Sequence, residues 1–108
     1  MMNENCIFCK IAQGSLPAQI AWSDDHFLAF HDIHPKAPLH VLVIPKMHIS
    51  QLSDLTAQDS TWLGEYMLAI NKAAKRLNLN HYKVQFNNGI ESGQEIFHLH
   101  AHLLQYLA

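Results

Sequence analysis

Long apolar runs are missing from this sequence of 108 residues; the longest is five residues, Tyr66 to Ile70. A membrane-crossing helix needs about 20, and a secretory signal core needs about 7–15 after a basic start. The segment Met1 to Cys6 offers neither, so the expectation is a soluble, cytoplasmic protein with no membrane partner. Positive charge is also scarce. Seven Lys+Arg stand against nine Asp+Glu, a net charge of −2 with His neutral, so no basic surplus drives binding to nucleic acid or to an anionic membrane. Cysteine occurs twice, as Cys6-x-x-Cys9, too little for the disulfide framework of a small secreted domain. Gly and Pro number four each and are scattered as punctuation rather than gathered into a linker. Repeats and low-complexity tracts are absent, and residues 1–108 read as one domain.

What is present is a core and an excess of histidine. Apolar residues make up 49% and charged ones 15%, enough to bury a single core. Cys6 to Gln13 reads as a short helix closed by Gly14, with Ile7, Phe8 and Ile11 on one side and Pro17 barring its continuation. Ala18–Ser23 and Phe27–Ile33 read as a hairpin around Asp24-Asp25-His26. Leu39–Ile44 reads as a strand of mostly branched aliphatics ended by Pro45. Thr56 and Asp59 resemble a capping box, after which Leu63, Tyr66, Met67, Ile70, Ala73, Ala74 and Leu77 recur on one face of a helix from about 57 to 78. Tyr82–Asn87 and Ile96–Tyr106 read as the last two strands. The fold class expected is α+β: a five-stranded antiparallel sheet with one short N-terminal helix and one long helix.

Nine of the 108 residues are His, and three of them fall at strict period two in the last strand: His98, His100 and His102. Side chains alternate between the faces of a strand. Phe97, Leu99, Ala101 and Leu103 therefore point to the core and the three imidazoles point together to the other side. A polar sheet face, a three-His metal site and a nucleophilic or acid–base set all remain open on spacing alone. Cys6 and Cys9, three apart on a helix, bring both thiols to one side; a redox pair and half of a zinc site both fit.

The segment His98-Leu99-His100-Ala101-His102-Leu103-Leu104 resembles the motif of the histidine-triad (HIT) family. The resemblance extends through Phe30-His31-Asp32-Ile33, Pro35-Lys36-Ala37-Pro38, His40-Val41-Leu42-Val43-Ile44-Pro45-Lys46, Asn87 and Gly93-Gln94-Glu95, and is nearest to the branch of histidine-triad nucleotide-binding proteins. It implies a hydrolase that cleaves the phosphorus–nitrogen bond of purine nucleoside 5′-phosphoramidates, with His100 as nucleophile, a nucleotidyl-histidine intermediate and AMP as product. Neutral imidazole suits this, being both a nucleophile near pH 7 and a leaving group. The resemblance implies that His102 contacts the phosphate or the leaving group, and that His40 orients the phosphate or passes a proton. It also implies that Asp32 accepts from the ribose hydroxyls and Asn87 donates to ribose or phosphate oxygen. Phe8, Ile11, Phe30 and Ile33 would form an apolar slot for the base, with His31 beside it and Gln94 and Glu95 near the phosphate. Direct contact of Glu95 with phosphate would bring two anions together.

Some bacterial-type members of the family carry a zinc site. Carried onto this chain, its ligands are Cys6, Cys9, His48 and His98, a structural zinc that catalysis does not require. His26, His34 and His81 are expected in solvent, and Trp62 and Met67 in the core or a subunit interface. The resemblance implies a homodimer. In that nucleotide-binding branch the triad runs on into a Gly-Gly-Arg stretch, whereas here Leu104-Gln105-Tyr106-Leu107-Ala108 follows, which leaves the leaving group open. The alternatives are a dinucleoside polyphosphate hydrolase using the same His100, a nucleotide-binding module without catalysis, and a metal-binding protein that uses the histidines as ligands.

Overall fold

A computed structural model describes residues 5–106. The elements are α1 (Ile7–Gln13), β1 (Ile20–Ser23), β2 (Phe27–His31), β3 (Leu39–Pro45), α2 (Ser60–Arg76), β4 (Lys83–Gln85) and β5 (Ala101–Gln105). The strands form one antiparallel sheet in the order β1-β2-β3-β5-β4. This is the α+β architecture expected. Among the described residues no helix is long and apolar enough to cross a membrane.

Each helix covers one face of the sheet. α2 lays Tyr66, Ile70, Ala73 and Ala74 on Phe27, Ala29, Val41, Val43, Ala101 and Leu103. On the opposite face α1 sets Phe8 and Cys9 against Leu28, Phe30, Leu42 and Ile44. The strict alternation in β2, β3 and β5 divides their residues between these two cores. Met67, read from periodicity as part of the buried stripe, is turned outward and half exposed. Trp62 is partly buried against the core and donates from Nε1 to Asp59 Oδ1. The capping box at Thr56 and Asp59 is present, but it opens a short 3₁₀ turn, Ala57–Asp59, before the α-helix begins. Gly14 closes α1 in the left-handed region, at φ 83°, where a Cβ would be strained.

Tyr66 ties α2 to the centre of the sheet. Its hydroxyl donates to the Val43 carbonyl at 2.6 Å in a fully buried setting, and burial raises its pKa above the usual tyrosine range. Tyr66→Phe removes the donor and leaves the packing. A buried hydrogen bond of this kind contributes about 1 kcal/mol, so thermal denaturation should show Tm lowered by roughly 4–8 °C. An unchanged Tm would mean that the bond contributes nothing net.

Four of the five strands are shorter than the sequence suggests, β3 alone running one residue longer, to Pro45, and one correction bears on the site. The last strand begins at Ala101, not Ile96, so His98 and His100 lie on the segment that leads into it. Val43 faces Ala101; continuing that register would set Leu99 against Pro45, which has no N–H to give. The Leu99 N–H goes instead to the Ile49 carbonyl, at 2.6 Å. Leu99, Ala101 and Leu103 are buried as expected, whereas Phe97 is 37% exposed, because the ladder has ended before it. β2 likewise stops at His31, and Asp32 and Ile33 begin the loop that follows.

Candidate active site

A cleft of about 550 Å³ opens between α1, the end of β2, the loop 32–38 and β5. Its apolar wall includes Ile7, Phe8, Ile11, Phe30 and Leu42, and its polar lining includes Asp32, Lys36, His40, Asn87, Glu95, His100 and His102. Phe8 holds the wall together: it meets Phe30 edge-on at 5.3 Å and His100 at 5.2 Å between ring centroids. Ile33 stands at the rim of the cleft and is 85% exposed, an apolar side chain that a bound ring would cover.

Main-chain carbonyls decide the tautomers of two triad imidazoles. His100 Nδ1 lies 2.7 Å from the His98 carbonyl oxygen. A carbonyl can only accept, so the ring proton of neutral His100 sits on Nδ1 and Nε2 carries a lone pair. Among the described residues that Nε2 has no protein partner, and His100 lines the cleft. His98 is the reverse. Its Nε2 donates to the Pro45 carbonyl at 2.8 Å, and its Nδ1 lone pair faces the Cys6 Sγ at 3.3 Å and the Cys9 Sγ at 3.5 Å.

Burial holds three of the cleft imidazoles, His40, His100 and His102, below the usual histidine range. Burial lowers the pKa of His100, opposed by its bond to the His98 carbonyl and by Asp32. Burial also lowers that of His40, opposed by Asp32 and aided by Lys36 and His100. His102 is pushed down to about 4 by burial and then by His100 and His40. In the unfolded chain His titrates near about 6.5. Between those values the unfolded chain binds the extra proton, so stability is full above about 6.5 and falls as the pH drops towards about 4. Urea midpoints measured across that window should fall more steeply for wild type than for His102→Gln. Equal slopes would contradict the assignment.

The structure brings most of the expected residues to the cleft. Phe8, Ile11, Phe30, His31, Asp32, Ile33, Asn87, Glu95, His40, His100 and His102 all line it. Gln94, expected near a phosphate, does not: it is buried, its Oε1 accepts from the Gly89 N–H, and its Nε2 donates to the carbonyls of Ser50 and Ile96. Three main-chain groups use up its amide, and Gln94 braces the loop that carries Glu95. Asn87 donates from Nδ2 to the Ser92 carbonyl at 2.7 Å, with its remaining N–H uncommitted. His26, His34 and His81 are exposed. Periodicity gave no hint of two main-chain contributors, the Pro45 carbonyl and the Lys36 N–H. Lys36, which lines the cleft, lies in the Pro35-Lys36-Ala37-Pro38 segment of the resemblance but was given no role from it.

Beneath the cleft lies a second cluster. Cys6 Sγ, Cys9 Sγ, His48 and His98 offer four donor atoms that all lie within 4.8 Å of one another. Cys9 Sγ is 3.3 Å from His48 Nδ1. Zinc bonds of about 2.3 Å to sulfur and about 2.0–2.1 Å to nitrogen give a tetrahedral S···N edge of about 3.5 Å. The separations here are 3.3, 3.3 and 3.5 Å, so this donor set fits such an ion. His98 also has the outer support that a metal-bound imidazole needs, its far N–H held by a carbonyl.

Fold and site together define an α+β domain that presents His40, His100 and His102 to a cleft with one apolar wall. A family model described as "Scavenger mRNA decapping enzyme C-term binding" matches residues 5–107. Protein HitA of Neisseria gonorrhoeae is 43% identical over 102 residues, covering 94% of this chain and 95% of that protein. An HIT-like protein of Synechocystis is 44% identical over 104 residues, 95% of this chain and 91% of its own. Among solved structures, an HIT family hydrolase from Legionella pneumophila superposes with a TM-score of 0.90 at 42% identity, covering 96% and 95% of the two chains. A histidine triad protein from Clostridium difficile gives 0.92 at 39% identity, over 100% and 97%. The chain belongs to the histidine-triad (HIT) family.

Proposed function

We propose that the protein is a hydrolase that cleaves the phosphorus–nitrogen bond of purine nucleoside 5′-phosphoramidates and releases AMP. The observation that carries the reading is the bare Nε2 of His100, kept neutral by burial, oriented by the His98 carbonyl and lining the cleft. In the first step that nitrogen bonds to the α-phosphorus, the phosphorus–nitrogen bond breaks, and the nitrogen departs as the amine with one proton taken up. In the second, water adds to phosphorus, the histidine–phosphorus bond breaks, and AMP leaves with one proton returned. Splitting one displacement into two lowers each barrier. His102 and Lys36 contribute hydrogen bonding and positive charge to the phosphoryl oxygens, His40 supports His102, and His98 holds His100 through its carbonyl. Asp32 accepts from the ribose hydroxyls, and Asn87 donates from its uncommitted N–H. The base lies against Phe8, Ile11, Phe30 and Ile33, near His31, and Glu95 faces the leaving-group side.

The reading includes a structural zinc held by Cys6, Cys9, His48 and His98. When bound, it supplies a crosslink between α1 and the segment entering β5 and takes no part in the reaction. A homodimer in the cytoplasm completes the reading.

The test is AMP release from adenosine 5′-phosphoramidate by the wild type, with AMP binding to wild type and Asp32→Ala measured alongside. Turnover together with at least about tenfold weaker AMP binding by Asp32→Ala, the loss of ~1.4 kcal/mol, supports the reading. AMP binding without turnover would replace it with a nucleotide-binding module, and no AMP binding would overturn both. A second reading, cleavage of a dinucleoside polyphosphate with a phosphate leaving group, is favoured by the family model that names a decapping enzyme. Faster turnover of diadenosine polyphosphates than of phosphoramidates would select it.

A further inference from the structure

The tautomer of His102 can be traced back to a single main-chain atom. The Lys36 N–H donates to His40 Nδ1 at 3.1 Å. An amide N–H can only donate, so that Nδ1 carries a lone pair and the ring proton of neutral His40 sits on Nε2. His40 Nε2 lies 3.0 Å from His102 Nδ1 and 3.4 Å from Asp32 Oδ2. One proton faces two acceptors, and the imidazole nitrogen is the nearer. Accepting at Nδ1 puts the proton of His102 on its own Nε2, which has no protein partner among the described residues. His102 lines the cleft with its ring centroid 4.9 Å from that of His100. On His100 the His98 carbonyl imposes the opposite arrangement.

We propose that the Lys36 main-chain N–H, acting through His40, fixes His102 as a hydrogen-bond donor beside the His100 acceptor. Lys36 is thus a positioning residue: two identical side chains acquire opposite roles because one is anchored by a carbonyl and the other, through an intermediary, by an amide. The same logic removes a competing use of these groups. Asp32, His40 and His102 have polar atoms within 4.8 Å of one another and are residue types that ligate metals. A neutral His40 with its proton on Nε2 has no lone pair there to give. The donor assignment stands on the geometry alone. Its consequence for rate rests on the phosphoramidase reading, in which the His102 Nε2–H meets the charge that gathers on the phosphoryl oxygens.

Imidazole ¹⁵N resonances of the full chain, assigned by single histidine substitutions, report which nitrogen bears each proton. The expected result is His40 and His102 protonated on Nε2 and His100 on Nδ1. His102 protonated on Nδ1, or a zinc ion that displaces the His40 Nε2 proton, overturns the proposal. A second chain carries the α-hydroxy analogue of lysine at residue 36, so that an ester oxygen replaces the N–H and the side chain is kept. There His40 and His102 should populate both tautomers. kcat on adenosine 5′-phosphoramidate should fall at least about tenfold, part of the ~10²–10³ that one such donor contributes, with KM nearly unchanged. Lys36→Ala, which keeps the N–H, should keep the tautomers. Wild-type tautomers in the ester chain would overturn the proposal. The expected tautomers in a wild type that hydrolyses nothing would sustain it while the phosphoramidase reading failed.

Discussion

The expected effect of His100→Ala is a fall of at least about 10³-fold in AMP release from adenosine 5′-phosphoramidate, the loss that removal of a covalent nucleophile brings when water must then attack directly. The size of the expected loss follows from the site. His100 Nε2 is the lone pair directed into the cleft by a main-chain anchor, at 2.7 Å. His40 Nδ1 is occupied by the Lys36 N–H, and His98 is turned to the two sulfurs. No neighbour can take its place without leaving a buried hydrogen bond unmade. AMP binding, measured by calorimetry on the same variant, should stay within about tenfold of wild type, because the slot and Asp32 are untouched; a tenfold change is ~1.4 kcal/mol. His100→Gln provides the second arm, filling more of the space beside Phe8. If either variant retains turnover within tenfold of wild type while AMP still binds, His100 is not the nucleophile.

The second large effect concerns the cysteine cluster. Protein purified without added zinc should carry one zinc per chain, and removing it with a chelator, or by Cys9→Ala, should lower Tm by about 15–30 °C. The arithmetic is linkage: a ligand at about 1,000 times its Kd stabilises by ~4.1 kcal/mol, and each kcal/mol is worth about 4–8 °C in a domain of this size. Magnitude separates this from the bland alternative. Two buried thiols that merely hydrogen-bond His48 and His98, at 3.3 to 3.5 Å, would contribute about 1 kcal/mol each and respond to no chelator. Folded, stable protein that contains no metal and whose Tm ignores the chelator would exclude the zinc. The same experiment reports on mechanism. Metal-free protein assayed below its lowered Tm should keep its His100 chemistry, since the cluster reaches His100 through residue 98 and through Phe8, neither of which supplies the nucleophile.

Much of this molecule could be read from the sequence. Period two in the last strand, the branched aliphatic run of Leu39–Ile44 ended by Pro45, period 3.6 after Thr56, and Gly14 closing the first helix set the order of elements. The His-x-His-x-His spacing and the matching segments around it marked the family and directed attention to Asp32, His40, His100 and His102, which meet at one cleft. One apolar expectation failed for a local reason. Phe97 lost its place in the core when Pro45 ended the ladder, and Met67, read as core or subunit interface, lies outside this chain's core. What the sequence determined by itself is therefore the fold and the list of chemical groups. The tertiary structure alone decided how those groups divide the work. His98 turns to the sulfurs because the carbonyl of Pro45, 53 residues away, holds its far nitrogen. His102 is tied to His40, 62 residues away, and through it to the Lys36 amide, while Gln94 is drawn from the cleft by three main-chain groups. Side-chain spacing carries no record of these partners. A tautomer is set by whichever donor or acceptor the folded chain brings within about 3 Å: a main-chain atom, which every residue type shares, for His98, His100 and His40, and the His40 ring for His102.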